Sequence, residues 1–392
     1  MSDSNSSRII SIDVFRGCVI LIMVFVNDVA SIKALPWWTY HIPYGTDGMT
    51  YVDIVYPAFL FIVGMAIPLA FQNRKESFND LTVWKHIFIR TFSLAFLGVL
   101  IMNGRQLNAE ESGISYALWN VLMFVGVILF WNNYPKSNEK TNLYKGLQCL
   151  GLLLIIILLA IYKRGETEDL KWINWRNWSI LGGIGWAYLS GCIVYYFLGK
   201  KWFLLLGSFV LLVFLNVATS LGWVDFLSGI HPIFWPFGKG ATSSIVLAGV
   251  ITTSILQKNA IERSKIYVGI ILFAAALGLA GWQLLPFGLA KIEATPSWCL
   301  WSSAISIISF LIIYYIVDIL KLRNWTLFMK SAGSNSLLTY LLPDIFYAIF
   351  GLYWLADISG SGILGAIRST LFALFILGIS TVLTKLKIRL QL

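Results

Sequence analysis

The stretch Ser11-Ile12-Asp13-Val14-Phe15-Arg16-Gly17 opens a run of apolar residues that ends in Val26-Asn27-Asp28. A loop holding His41 follows. Asp53 then heads a second run, Tyr56-Pro57-Ala58-Phe59-Leu60-Phe61-Ile62-Val63-Gly64. Both runs are continuous rather than alternating, which excludes the strands of a β-barrel. A helix needs about 20 mostly apolar residues to cross hydrocarbon, and it closes all its backbone hydrogen bonds internally. Ionisable side chains inside such a segment are expensive and are rarely idle. Asp13, Arg16, Asp28 and Asp53 therefore each demand a reason.

Working outward, the same pattern fills the chain. Of 392 residues, 58% are hydrophobic and 12% charged, with a mean hydropathy of +0.76; a soluble domain carries about 25% charged residues. The sequence predicts an all-α, polytopic membrane bundle of about 12 transmembrane helices, read as one domain over 1–392. The spans fall at about 9–29, 52–71, 87–103, 116–132, 146–162, 179–198, 202–218, 241–257, 266–285, 298–317, 333–350 and 362–384. The first apolar segment contains Asp13 and Arg16, so it reads as a span and not as a cleavable signal peptide.

The net charge of +10 would suit nucleic acid, but its placement does not. With a cytoplasmic N-terminus, the inner loops and helix ends hold 20 of the 29 basic residues and the outer loops 9. That asymmetry is the positive-inside pattern and predicts an N-in, C-in chain. Cys18, Cys149, Cys192 and Cys299 all fall in or beside apolar spans, where they read as small core residues and not as disulfides or zinc ligands.

Asp13 and Arg16 stand three apart and share a helix face. An ion pair that lowers the cost of burial and a guanidinium edge offered to an anion from the cytoplasm are compatible readings. Asn27 and Asp28 close the first span. An acid at a helix C-terminus opposes the dipole, which makes Asp28 a costly placement. His41 lies in an aromatic loop, Pro36-Trp37-Trp38-Thr39-Tyr40-His41-Ile42-Pro43-Tyr44. Each of the three histidines, His41, His86 and His231, has an acid six residues away in sequence, Asp47, Asp80 and Asp225, and His41 is the one whose loop also leads to Asp53 at the head of the next span. Asp53 in a first helical turn is favourable in itself, yet Asp28, His41 and Asp53 are joined by one short loop. A carboxylate beside an imidazole orients the ring and raises its basicity, the minimum kit of a general base. Ser334 and Asn335 in Gly333-Ser334-Asn335-Ser336-Leu337 suit a helix cap or a phosphate. Pro343-Asp344 is expected to break the eleventh span halfway.

These residues resemble the transmembrane acyltransferase family of heparan-α-glucosaminide N-acetyltransferase and its bacterial relatives. The match runs through Ser11 to Gly17, Asn27, His41, Asp53-Ile54-Val55-Tyr56-Pro57 and Phe61-Ile62-Val63-Gly64. Weaker matches lie at Arg90-Thr91, Leu97-Gly98, Ile180-Leu181-Gly182, Ala187-Tyr188-Leu189, Thr295-Pro296-Ser297-Trp298, Tyr315-Ile316-Val317-Asp318 and Gly333 to Tyr340. The resemblance implies an enzyme that moves an acetyl group from cytoplasmic acetyl-CoA to a glucosamine-type sugar or glycan beyond the membrane, with no metal expected. It puts the catalytic histidine on His41 and the helix-end asparagine on Asn27, with Asp53 or Asp28 orienting the ring. The family's Gln-Arg pair falls on Gly182-Gly183, and its Asp-Pro-acid-Gly on Phe237-Gly238-Lys239-Gly240. The spans over 116–162 read as an inserted helix pair.

On that reading the phosphates of acyl-CoA meet Arg16, Arg74, Arg90, Arg323 or Lys330, with Ser334 and Asn335, and Trp37, Trp38, Tyr40 and Tyr44 offer stacking faces to a sugar. Aromatics belong at a membrane interface in any case. The expected partners are the lipid bilayer, acyl-CoA and the acceptor, with no nucleic acid and a homodimer open. The expected location is a bacterial inner membrane. A multi-span transporter or flippase is the other reading, since many spans and a proline-broken helix fit that class too.

Overall fold

A computed structural model describes residues 9–75, 80–135, 139–199, 201–226, 239–258, 262–351 and 360–390, with the side chains of 73–75 left out. The side chain of Arg74, named above as a phosphate partner, and the whole of His231 thus lie outside what is described. Thirteen helices of nine residues or more carry the described fold: α1 (Ile10–Val29), α2 (Val55–Lys75), α3 (Asp80–Gly104), α4 (Tyr116–Trp131), α5 (Thr141–Ile161), α6 (Ser179–Leu198), α7 (Trp202–Ser220), α8 (Ala241–Leu256), α9 (Arg263–Gln283), α10 (Pro296–Tyr314), α11 (Thr326–Ser334), α12 (Ser336–Phe350) and α13 (Gly362–Lys385). Among the described residues, pairing between extended segments is limited to isolated bridges such as Arg164 with Lys171.

Nine helical segments are long and apolar enough to cross a membrane, among the described residues. They are the length and composition of a multi-pass integral membrane protein. Three further apolar helices, α4, α8 and α12, fall where spans are expected but have 16, 16 and 15 residues. At a rise of 1.5 Å per residue each reaches about 24 Å or less, short of a typical hydrocarbon core.

Two expectations are corrected. The segment 333–350 is not one helix: α11 ends at Ser334 and α12 begins at Ser336, with Asn335 between them at φ −121° and ψ 46°. Nor is Pro343 a break, because α12 runs through it. The chain bends where an asparagine side chain is drawn away from its own helix, not where a backbone N–H is missing. Among the cysteines, all four are free; Cys192 and Cys299 are buried, but Cys149 is exposed on the outer face of α5.

The chain divides into two compact units. The first takes the residues up to 19, 36–91 and 183–330. Its core is the crossing of α2 with α8, where a Cβ on Gly64 would stand 1.9 Å from the Val246 carbonyl oxygen and one on Gly249 would stand 2.1 Å from that of Phe61. Without a hydrophobic drive between helices in lipid, such backbone approach through small residues is what holds them. Gly17 does the same for α1 and α11, its would-be Cβ lying 2.1 Å from the Met329 carbonyl oxygen.

The second unit takes 20–35, 92–182 and 331 onward. Within it α4 packs on α5 through Gly126 and Gly151, and Gly98 abuts the Trp178 carbonyl. Asn335 is its lock. The amide donates to Thr384 Oγ1 and to the Ile388 carbonyl, both at 2.9 Å, and accepts from Leu390 N at 3.1 Å.

Candidate active site

Thr50 and Asp53 begin the local structure. They form a capping box on the 3₁₀ turn Tyr51–Ile54, which leads straight into α2. The Thr50 N–H and hydroxyl donate to Asp53 Oδ2 at 3.1 and 3.2 Å, and the Ile42 N–H reaches it at 3.4 Å. One carboxylate oxygen is thereby fixed by the turn and the other is left for a different partner. That partner is His41, whose Nδ1 lies 2.7 Å from Oδ1. An ionised carboxylate only accepts, so Nδ1 carries the hydrogen, which in the neutral ring leaves the lone pair on Nε2. Asp53 is 1% exposed, and the His41 side chain 39%. An anchored acid behind an accessible ring is the geometry of a general base.

A third group completes the cluster, and it comes from 250 residues away. Lys291 Nζ stands 3.1 Å from His41 Nδ1, 3.3 Å from Nε2 and 4.0 Å from Asp53 Oδ1. Burial holds its pKa below the ordinary lysine value of 10.5, while the Asp53 carboxylate pulls the other way. The indole of Trp298, at the start of α10, donates to the Asp53 carbonyl at 3.2 Å. Nothing in the local sequence around Lys291 marks it; only the neighbouring Thr295-Pro296-Ser297-Trp298 carried a signal.

Trp37, Trp38 and Tyr44 are exposed on the His41 loop, and Tyr40 is half-buried. Trp37 and Trp38 form a 3₁₀ turn, and the Trp38 ring lies 6.0 Å from that of Tyr51.

Asn27 and Asp28 belong to the second unit. Asn27 is exposed in the last turn of α1. Asp28 is buried and its carboxylate is spoken for. Tyr347 donates to Oδ1, and Oδ2 accepts from Ser369 Oγ at 2.5 Å and Arg368 Nη2 at 3.1 Å. The dipole cost of an acid in this turn is met by a guanidinium and two hydroxyls.

The residues expected to meet phosphates divide likewise. In the first unit, Arg16 pairs with Asp13 at 3.6 Å on α1. The π turn Tyr315–Ile319 that extends α10 carries Asp318, which accepts from the Ser11 N–H at 3.1 Å and lies 3.6 Å from Arg323. The Gly17–Met329 contact sets Lys330 beside the α1 end that bears Arg16. Arg16, Arg323 and Lys330 thus gather at one end of α10, and His41, Asp53 and Lys291 at the other. Arg90 stacks on Tyr188, 4.6 Å from the ring centre. Ser334 and Asn335 lie in the second unit, where Ser334 donates to the Ser331 carbonyl and both amide hydrogens of Asn335 are used within its lock. Among the described residues no group of three or more His, Cys, Asp and Glu could hold a metal ion.

Two curated proteins are similar to part of this chain. One is heparan-alpha-glucosaminide N-acetyltransferase of Mus musculus, 29% identical over 144 residues, covering 34% of this chain and 21% of that protein. The other is the Homo sapiens protein of the same name, 30% identical over 124 residues, covering 31% of this chain and 18% of that protein. The chain thus matches about a fifth of the length of these relatives, and the likeness is to part of an N-acetyltransferase. A family model described as a domain of unknown function, DUF5009, matches residues 8–256, well over half of the chain, and the protein belongs to that family.

Proposed function

We propose that this protein is a transmembrane acyltransferase. It takes an acetyl group from acyl-CoA on the cytoplasmic side and passes it to an amine or hydroxyl of a sugar or glycan on the other side. The chain crosses the membrane twelve times with both ends in the cytoplasm, the three short helices included. Arg16, Arg323 and Lys330 are where the CoA phosphates first engage as the donor enters. His41 Nε2 takes the acceptor's proton as the new bond forms, and Asp53 holds the ring and balances its charge. Transfer through an acetylated His41 uses the same atoms. Trp37, Trp38, Tyr40 and Tyr44 face the sugar. Asp28 is assigned a structural role, because its partners already use both oxygens.

The observation that carries the reading is the pairing of an exposed imidazole with a buried, doubly anchored carboxylate. Its support is the basic cluster at the far end of α10. At 1.5 Å per residue, α10 and its π turn separate the two by about 36 Å. A nucleotide cannot cross hydrocarbon, but its thin, mostly neutral arm can enter it; fully extended, that arm covers about half of this length, so the donor moves inward from the basic cluster before its thioester meets His41. The likeness of part of the chain to a membrane N-acetyltransferase favours an acyl donor over transport.

The test is acetyl transfer from labelled acetyl-CoA to glucosamine by purified protein and His41→Ala. Loss of turnover with acetyl-CoA still bound supports the role. Undiminished transfer excludes it.

A further inference from the structure

We propose that Lys291 is a catalytic residue of this transfer, its ammonium holding the negative charge that develops on the acyl carbonyl oxygen. The assignment rests on the acyl-transfer reading of the same site. Lys291 Nζ is almost equally far from the two ring nitrogens, at 3.1 and 3.3 Å. A simple hydrogen-bond partner would lie on the lone-pair line of one nitrogen and well away from the other, so the ammonium stands beside the ring. An acceptor bound at Nε2 puts the carbon it attacks, and that carbon's oxygen, next to this ammonium.

The placement is built into the fold. The Lys291 loop is stitched to the His41 loop from both sides. Leu289 N–H donates to Asp47 Oδ1, Gly48 N–H to the Leu289 carbonyl at 2.9 Å, and Gly45 N–H to Glu293 Oε1 at 2.8 Å. Gly288 permits the turn with φ +81°, and Thr295 closes the loop on Ala290 N at 3.0 Å. The Lys291 side chain is 21% exposed, with Asp53 as its counter-charge at 4.0 Å. A desolvated, pre-placed donor is worth far more to a nascent oxyanion than one in water.

The step balances. The acceptor nitrogen or oxygen bonds to the acyl carbon and its proton passes to His41 Nε2. The carbonyl electron pair moves to oxygen, against Lys291. When the pair returns, the carbon–sulfur bond breaks and the CoA thiolate leaves, taking the proton from His41. Lys291 keeps its own proton throughout, so activity falls as pH rises through its pKa, which burial places below 10.5. Over residues 36–54 and 284–295 the other charged groups are Asp47, Asp53 and Glu293, and the remaining titratable ones are His41, Tyr40, Tyr44 and Tyr51.

The experiment measures kcat and KM for acetyl-CoA, against pH, in the full chain and in Lys291→Met and Lys291→Arg. Removing one oxyanion donor costs about 10²–10³ in kcat. Lys291→Met is expected to lose that much with KM unchanged. Lys291→Arg keeps charge and donors, so it retains most of the rate and loses the alkaline fall, because a guanidinium does not titrate. An active wild type with a fully active Lys291→Met overturns the assignment alone. So does an equal loss in both variants with the alkaline fall still present, which is the mark of a structural ion pair. A wild type that transfers nothing from acetyl-CoA overturns the acyl-transfer reading, and the assignment with it.

Discussion

Asp53 and Asp28 are both buried carboxylates flanking one loop of sequence, and they are answered in opposite ways. Asp28 meets Arg368, Tyr347 and Ser369, with the ion pair 9% and 4% exposed at its two side chains. Its neighbours are a permanent cation and two hydroxyls, which together occupy both of its oxygens. Asp53 meets a backbone cap on one oxygen and, on the other, an imidazole open to solvent beside a lysine with a lowered pKa. One carboxylate is a strut. The other is tied to groups that can exchange protons. Burial alone does not mark a site; what marks it is an acid whose partner titrates and can be reached.

The sharpest way to break this contrast is Asp53→Asn. The amide keeps an acceptor for the Thr50 cap but cannot hold the imidazolium, so turnover should drop by about 10²–10⁴-fold while the protein stays folded. Turnover in detergent, beside a folding check by circular dichroism, decides it. Asp28→Ala should do the reverse. It removes the carboxylate that pairs with the buried Arg368 charge, at a cost of about 3–5 kcal/mol, seen as a lowered thermal midpoint. If Asp28→Ala stayed as stable as wild type and only turnover fell, the two carboxylates would have been assigned the wrong way round.

Gly64→Ala probes the support behind Asp53. A Cβ would stand 1.9 Å from the Val246 carbonyl, forcing α2 off α8 for about 1–3 kcal/mol, read by thermal unfolding. The smallest effect is on pH. Lys291 has a lower pKa folded than unfolded, so between the two values the unfolded chain binds more protons, and this group's contribution to stability rises with pH across that window. It should vanish in Lys291→Met, in unfolding measured from neutral pH to above 10.5.

Much of the fold was legible in the sequence, because membrane spans announce themselves by hydropathy alone. Segment α1 was expected at 9–29 and runs over Ile10–Val29. Elsewhere the apolar signal missed polar ends: α3 was expected to begin at 87 and begins at Asp80, since a helix can continue beyond the apolar stretch. The break at Asn335 was misplaced to Pro343. Proline is a strong local signal, whereas the pull on Asn335 comes from Thr384 and Ile388, far along the chain. The candidate site was legible where it is local. Thr50, Asp53 and His41 lie within one loop and its following turn. Lys291 was not, because it reaches the ring only through a loop closure 250 residues away. Arg368, 340 residues from Asp28, was hidden for the same reason.

The most direct test is sidedness. Protein is reconstituted in sealed vesicles with one orientation established by protease mapping. Acetyl-CoA is supplied only on the side of Arg16, Arg323 and Lys330, and glucosamine only on the side of His41. The account predicts acetylated product on the His41 side, abolished by His41→Ala. Transfer that requires donor and acceptor on the same side, or that survives His41→Ala, would contradict it.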